Sequence, residues 1–152
     1  MTAVETDRAP IAEGLAQLLA DSYTLYLKTQ NFHWNVTGPH FGELHALFEQ
    51  QYTDLAMAVD GIAERIRALG APAPGSFAAF GARTAIPEAA PGKTLAMDMV
   101  AQLAEDHQTV AAAAAAVIRL ADEAGDEPTA GMATDRQQIH EKSAWMLRSF
   151  LE

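Results

Sequence analysis

The chain has 152 residues, a usual length for one domain with a single core. Apolar residues make up 49%, and no residue is a cysteine, which excludes disulfides and thiolate metal sites. Twenty acidic against ten basic side chains leave a formal net charge of −10, a balance that repels nucleic acid and anionic lipid and attracts cations.

The first ten residues, MTAVETDRAP, lack the basic and apolar segments of a secretory leader. The longest apolar run, Val110 to Ile118, is far short of the ~20 residues that a membrane span needs. A soluble cytoplasmic protein is expected. Aromatics are only 7% and alanine is abundant, which favours closely packed helices over a sheet.

Residues 1–9 read as a short acidic tail ahead of a single domain. A first helix is expected from about Pro10 to Asn35. Its apolar stripe runs through Ile11, Leu15, Leu18, Leu19, Ser22, Leu25, Tyr26 and Phe32. Pro10 suits a first-turn position. Gly38 and Pro39 break the pattern, and a second helix is expected from about His40 to Leu69, ending at Gly70.

Residues 70–93 hold four prolines and four glycines and read as a long connection with a short helix at Ser76–Phe80. A third helix is expected from about Thr94 to Glu123, with six consecutive alanines at 111–116. An alanine face permits close backbone approach, although compositional drift explains it equally well. Gly125 to Pro128 separates it from a fourth helix that carries Ile139, Trp145, Met146 and Phe150. A short first link makes helices one and two antiparallel, and a crossover of about 24 residues lets helix three run parallel to helix two. One long crossover in a four-helix bundle is the ferritin-like arrangement.

The second helix carries the candidate chemistry. At about 100° per residue, His45, Glu49, Asp60 and Glu64 all fall on one side, away from the stripe of Leu44, Phe48, Leu55, Val59, Ile62, Ile66 and Leu69. Their neighbours Ala46, Thr53, Ala56, Met57 and Ala63 are mostly small, as a second packing face requires. Asp60 and Glu64 are like charges at i, i+4, a mildly unfavourable pair that a shared cation would reverse. Both could instead be solvated, with Glu64 paired to Arg67.

Glu49 and Asp60 are separated by roughly 16 Å along the helix, too far for one metal ion within one chain. An antiparallel copy of the same helix, related by a two-fold axis near Asp54 and Leu55, closes that gap and creates two equivalent sites. His33 shares the inward stripe of helix one and would add a ligand, although a lone histidine on an apolar stripe is more often a core residue. Imidazole and carboxylate together suit iron, and do not exclude zinc or manganese. No histidine follows a glutamate by three positions, so the intrachain di-metal pattern of ferritin-like bundles is missing, as is the zinc-protease pattern after His140.

The run Asn31-Phe32-His33-Trp34-Asn35-Val36-Thr37-Gly38, followed by Phe41, Leu44, His45, Phe48, Glu49, Tyr52, Asp60 and Ile62 to Gly70, resembles the Dps miniferritins. So does His140 to Arg148. The resemblance covers nearly the whole chain. It implies a hollow cage of twelve subunits built from two-fold dimers, with ferroxidase centres between subunits and iron stored inside as ferric mineral. It implies iron ligands at His33, His45 and Glu49 of one subunit and Asp60 and Glu64 of its neighbour. Glu49 stands where the family often has aspartate. Hydrogen peroxide is the implied oxidant in preference to dioxygen, and protection against oxidative stress the implied role. Trp34 matches an aromatic beside the centre that takes up stray oxidising equivalents, and an interface aromatic is the alternative.

The resemblance also places Asp126 and Asp135 at an acidic three-fold pore, with Gly131 where many members have aspartate and Glu127 as a candidate substitute. Asp126 equally suits a helix N-cap. DNA binding in the family usually depends on a basic tail. Here residues 1–10 offer only Arg8 against the acidic Glu5 and Asp7, so the electrostatic drive is missing and DNA binding is not expected. A nucleoid protein that physically shields DNA is the competing function, and it would need that tail.

Overall fold

The computed structural model describes residues 7–152, and every regular element among them is helical. Of the tail expected over residues 1–9, residues 1–6 lie outside the described residues, and Ala9 already opens the first helix. The elements are α1 (Ala9–Asn35), α2 (Phe41–Ala68), α3 (Phe77–Arg83), α4 (Ala96–Ala124) and α5 (Glu127–Arg148), with a closing 3₁₀ turn at Ser149–Leu151. Most expected boundaries shift by one or two residues, and two have a local cause. The short helix starts one residue later and runs to Arg83, because Ser76 is its N-cap and accepts a hydrogen bond from the Ala79 amide. The last helix begins at Glu127, with Pro128 in its first turn, where the missing amide proton has no cost.

Local signals set the ends of the elements. Gly38 (φ 108°) turns the chain between α1 and α2, and Gly125 (φ 71°) closes α4 in the left-handed conformation that glycine adopts without strain. Asp126 then caps α5 by accepting from the Thr129 amide at 3.2 Å.

Contacts between helices fix their directions. His33 meets His45 and Tyr26 meets Tyr52, both pairs centred on residue 39, so α1 and α2 run antiparallel. Gly14 lies against Val117 and Leu120 while Lys28 meets Asp106, so α1 and α4 also run antiparallel. Helix α2 is therefore parallel to α4, as the long crossover requires. Arg65 reaches Asp126 and Arg136 reaches Asp54, which sets α5 antiparallel to α2. A Cβ on Gly14 would lie 3.0 Å from Leu120 Cδ1, so glycine sets the close approach of α1 to α4.

The core is the expected set of stripes. Leu15, Leu18 and Leu25 of α1 and Leu44, Phe48, Leu55, Ile62 and Ile66 of α2 are buried, with Val100, Leu103, Val110 and Val117 of α4 facing them. The crossover is pinned to α1. Asp21 accepts hydrogen bonds from the Thr84 hydroxyl (3.0 Å) and the Ala85 amide (2.8 Å), and Tyr23 stacks on Phe80 of α3 at 4.9 Å.

Two polar assemblies cross this core. Lys28 Nζ lies 2.8 Å from Asp106 Oδ2, with both side chains almost wholly buried. Desolvation pushes the Asp106 carboxyl above its ordinary pKa even with Lys28 beside it. Lys28→Met strands that carboxylate and should destabilise the fold by about 3–5 kcal/mol, whereas adding Asp106→Leu should restore most of the loss. Urea midpoints of the parent, single and double variants check this.

The second assembly is a chain of contacts. Asp54 is held bidentately by Arg136 at 3.0 and 3.2 Å, Arg136 donates to His140 Nε2 at 3.1 Å, and His140 Nδ1 lies 2.8 Å from His107 Nδ1. Because Arg136 only donates, His140 Nε2 must accept, so His140 carries its proton on Nδ1 and donates it to His107. Both rings are therefore neutral. Desolvation, with Arg136 nearby, lowers the His107 pKa to about 3, and burial drives His140 well below its usual value.

Candidate metal centre

The site begins where α1 ends and α2 starts. The tight turn at Gly38 and Pro39 brings the last turn of α1 against the first turns of α2. There His33 Nδ1 lies 2.7 Å from the His45 carbonyl oxygen, and His45 Nδ1 lies 2.8 Å from the His33 carbonyl oxygen. A carbonyl oxygen only accepts, so each ring carries its proton on Nδ1 and leaves an Nε2 lone pair. The two rings stack at 3.8 Å with 12° between their planes. This tautomer leaves one acceptor nitrogen on each ring, and it is set by backbone carbonyls of the helix pair.

His33 is buried and His45 half-buried, while Glu49, one turn further along α2, is exposed. Asp60 and Glu64 are exposed nearer the other end of α2. Glu64 forms no ion pair among the described residues, and Arg67 instead donates to the Ala71 carbonyl at 3.2 Å. Asp60 lines a cavity of about 540 Å³ with Tyr23, Ala56, Val59, Ala63 and Phe77. Between the two carboxylate groups, Met57 is 76% exposed. The fold thus pairs His33 with His45, sets Glu49 one helical turn beyond them on α2 and leaves Asp60 and Glu64 further along the helix. Among the described residues, no three histidine, aspartate or glutamate side chains converge closely enough to hold a metal ion.

Trp34 is 61% exposed on the outer side of α1 and lines a separate cavity with Tyr23, Leu27, Asn31, Phe77 and Phe80. Glu127 and Asp135 are exposed on α5, but Asp126 is engaged within the chain. It caps the helix, accepts from the Thr129 hydroxyl, and pairs with Arg65 at 3.0 Å. Partial burial opposes ionisation of Asp126, but the Thr129 hydroxyl and amide and the Arg65 guanidinium outweigh it and hold the carboxyl below its ordinary pKa. The Arg65 pairing was not foreseen in the sequence. The spacing of Asp126 and Thr129 signals a cap, but nothing local signals a partner sixty-one positions away.

Four long helices closed by one long crossover, with imidazoles and carboxylates distributed along one helix, define a ferritin-like bundle protein. Comparison agrees: residues 12–152 match the ferritin-like domain family. A DNA protection during starvation protein of Brevibacillus brevis is 37% identical over 93% of this chain and 95% of its own. A low temperature-induced protein of Nostoc sp. is 42% identical over 97% of this chain and 83% of its own. The crystal structure of Dps from Vibrio cholerae O1, described as a member of a broad superfamily of ferritin-like diiron-carboxylate proteins, superposes with a TM-score of 0.89 at 34% identity, over 93% of this chain and 89% of its own. The chain belongs to the ferritin-like family, among its Dps proteins. None of the described helices is long and apolar enough to cross a membrane.

Proposed function

We propose that the protein is a ferroxidase and iron store that works in the cytoplasm, the whole chain acting as one domain. Fe(II) binds between two copies, with His33, His45 and Glu49 from one and Asp60 and Glu64 from the other. The observation that carries this reading is the reciprocal pair of hydrogen bonds between His33 and His45, which leaves an Nε2 lone pair free on each ring, with Glu49 one helical turn beyond His45. The small exposed residues Ala46, Thr53 and Ala56, with the exposed apolar Met57 among them, give the carrying face of α2 a surface that a second α2 can approach. An antiparallel pair centred near Asp54 and Leu55 brings Asp60 beside Glu49 of the other copy and builds two sites at once.

The imidazoles and carboxylates then hold Fe(II) in a mixed nitrogen–oxygen site that accepts the harder Fe(III) product. Two Fe(II) ions give one electron each to one hydrogen peroxide, which with two protons becomes two waters, so no hydroxyl radical is released. The ferric product is deposited as mineral inside a cage of twelve subunits, and consumption of iron and peroxide together protects against oxidative stress. Trp34 is an interface aromatic or a sink for stray oxidising equivalents beside the centre. Iron enters at a three-fold pore whose charge comes from Glu127 and Asp135, with Asp126 contributing less because Arg65 already offsets it.

Mixing the protein with Fe(II) and peroxide anaerobically should oxidise two Fe(II) per peroxide rapidly. Consumption of one Fe(II) per peroxide, or a rate equal to that without protein, would reject the proposal. Shielding of DNA is the competing function. With a net charge of −10 per chain, the protein should not retard DNA in a gel even at low salt. Retardation that weakens steeply with salt would favour shielding.

A further inference from the structure

We propose that Phe41 is a positioning residue for the iron centre, holding the His45 ring in the plane from which its Nε2 binds metal. This rests on the reading of His33 and His45 as ligands. Phe41 is the first residue of α2 and lies four positions before His45, the spacing that places two side chains on one helix face. Its ring stacks on His45 at 5.0 Å with 24° between planes. The opposite face of His45 is covered by His33 at 3.8 Å, and the edge of Tyr52 closes the column against His33 at 5.2 Å and 73°.

His45 is the member of this column that needs the help. His33 is buried and wedged between His45 and Tyr52. His45 is only half-buried, and its hydrogen bond to the His33 carbonyl fixes one atom while leaving the ring free to swing about that contact. With Phe41 on the outer face, a single plane remains. Phe41 is 45% exposed, a position an aromatic ring does not occupy for the sake of the core. A role only in contact with a neighbouring subunit would explain the exposure, but not the near-parallel stack on a ligand four residues away.

The test compares Phe41→Leu, which keeps apolar bulk without a ring face, with Phe41→Tyr, which keeps the face. The readouts are Co(II) affinity, taken from its visible bands, and the thermal midpoint and assembly size of each protein. Phe41→Leu should weaken Co(II) binding roughly three- to tenfold, the scale of one aromatic stack, at unchanged midpoint and size. Phe41→Tyr should bind within about twofold of the parent. Equal Co(II) affinity for the parent and Phe41→Leu overturns the positioning role alone. A change of assembly size in Phe41→Leu with unaltered Co(II) affinity overturns it in favour of a subunit contact. Failure of the parent to bind Co(II) overturns the centre itself, and the role of Phe41 with it. A crystal structure of Phe41→Leu in which the His45 ring still lies parallel to His33 also counts against it.

Discussion

Co-assembling His33→Ala chains with Asp60→Ala chains should restore about a quarter of the parent's ferroxidase activity, although each variant alone should be slowed ~100-fold or more. In a dimer holding one chain of each kind, one interface site combines both lesions. The other takes His33 from the Asp60→Ala chain and Asp60 from the His33→Ala chain, and is intact. Random mixing makes half the dimers mixed, so about one site in four is complete. The reason for expecting this lies in α2, where Glu49 and Asp60 are roughly 16 Å apart on one rigid helix. The measurement is the initial rate of Fe(II) oxidation by peroxide in separated and co-expressed assemblies. If the mixed assembly is no faster than the single variants, either the five residues act within one chain or one of the pair is not a ligand.

Below pH 6.5 the fold should lose stability at about 2–3 kcal/mol per pH unit per subunit, through His107 and His140. The unfolded chain takes up protons on both histidines near their ordinary value of 6.5. The native state does not, because desolvation and Arg136 hold His107 at about 3 and burial with His107 and Arg136 holds His140 well below normal. Both folded pKa values are depressed, so the stability is fully present above the unfolded value and is lost as pH falls toward about 3. Protonating His107 in place would also set a second cation near Arg136 in a dry core. Asp106 works in the opposite sense, since its raised pKa lets the native state accept a proton before the unfolded chain does. It offsets the loss only at the acid end. Denaturant titrations at pH 7, 6 and 5 read the slope, and His107→Gln should roughly halve it. A slope unchanged in that variant would mean that other groups govern the acid limb.

The aromatic and histidine contacts show how far one dimension of information reaches. His33 on the inward stripe of α1, and His45 and Glu49 four residues apart on α2, were legible because helical periodicity alone assigns a face to each residue. The same rise per residue separates Glu49 from Asp60 and by itself argues for a second chain. The apolar stripes and the long crossover were legible for the same reason: burial and loop length act locally and leave a periodic trace. Periodicity also set the expected helices within a few residues, and the small differences fell at helix ends, as at the start of α3, where the Ser76 side chain caps the first turn.

Which imidazole nitrogen is free was not legible. It depends on two backbone carbonyls that come within 2.8 Å of the opposite rings only when the helices pack. Nor could the sequence show that Arg65 occupies Asp126, or that Asp54, Arg136, His140 and His107 form one chain of contacts running from the surface into the core. Arg136 and His140 stand one helical turn apart, but the links between helices join residues 33 to 82 positions apart, and no spacing rule connects those. By itself, then, the sequence determined the helices, their apolar faces and the separation of the candidate ligands along α2. Only the tertiary structure decided which ring nitrogen of His33 and His45 is free, the stacking of His45 on His33 and the pairing of Asp126 with Arg65, because those contacts require atoms from different helices to meet.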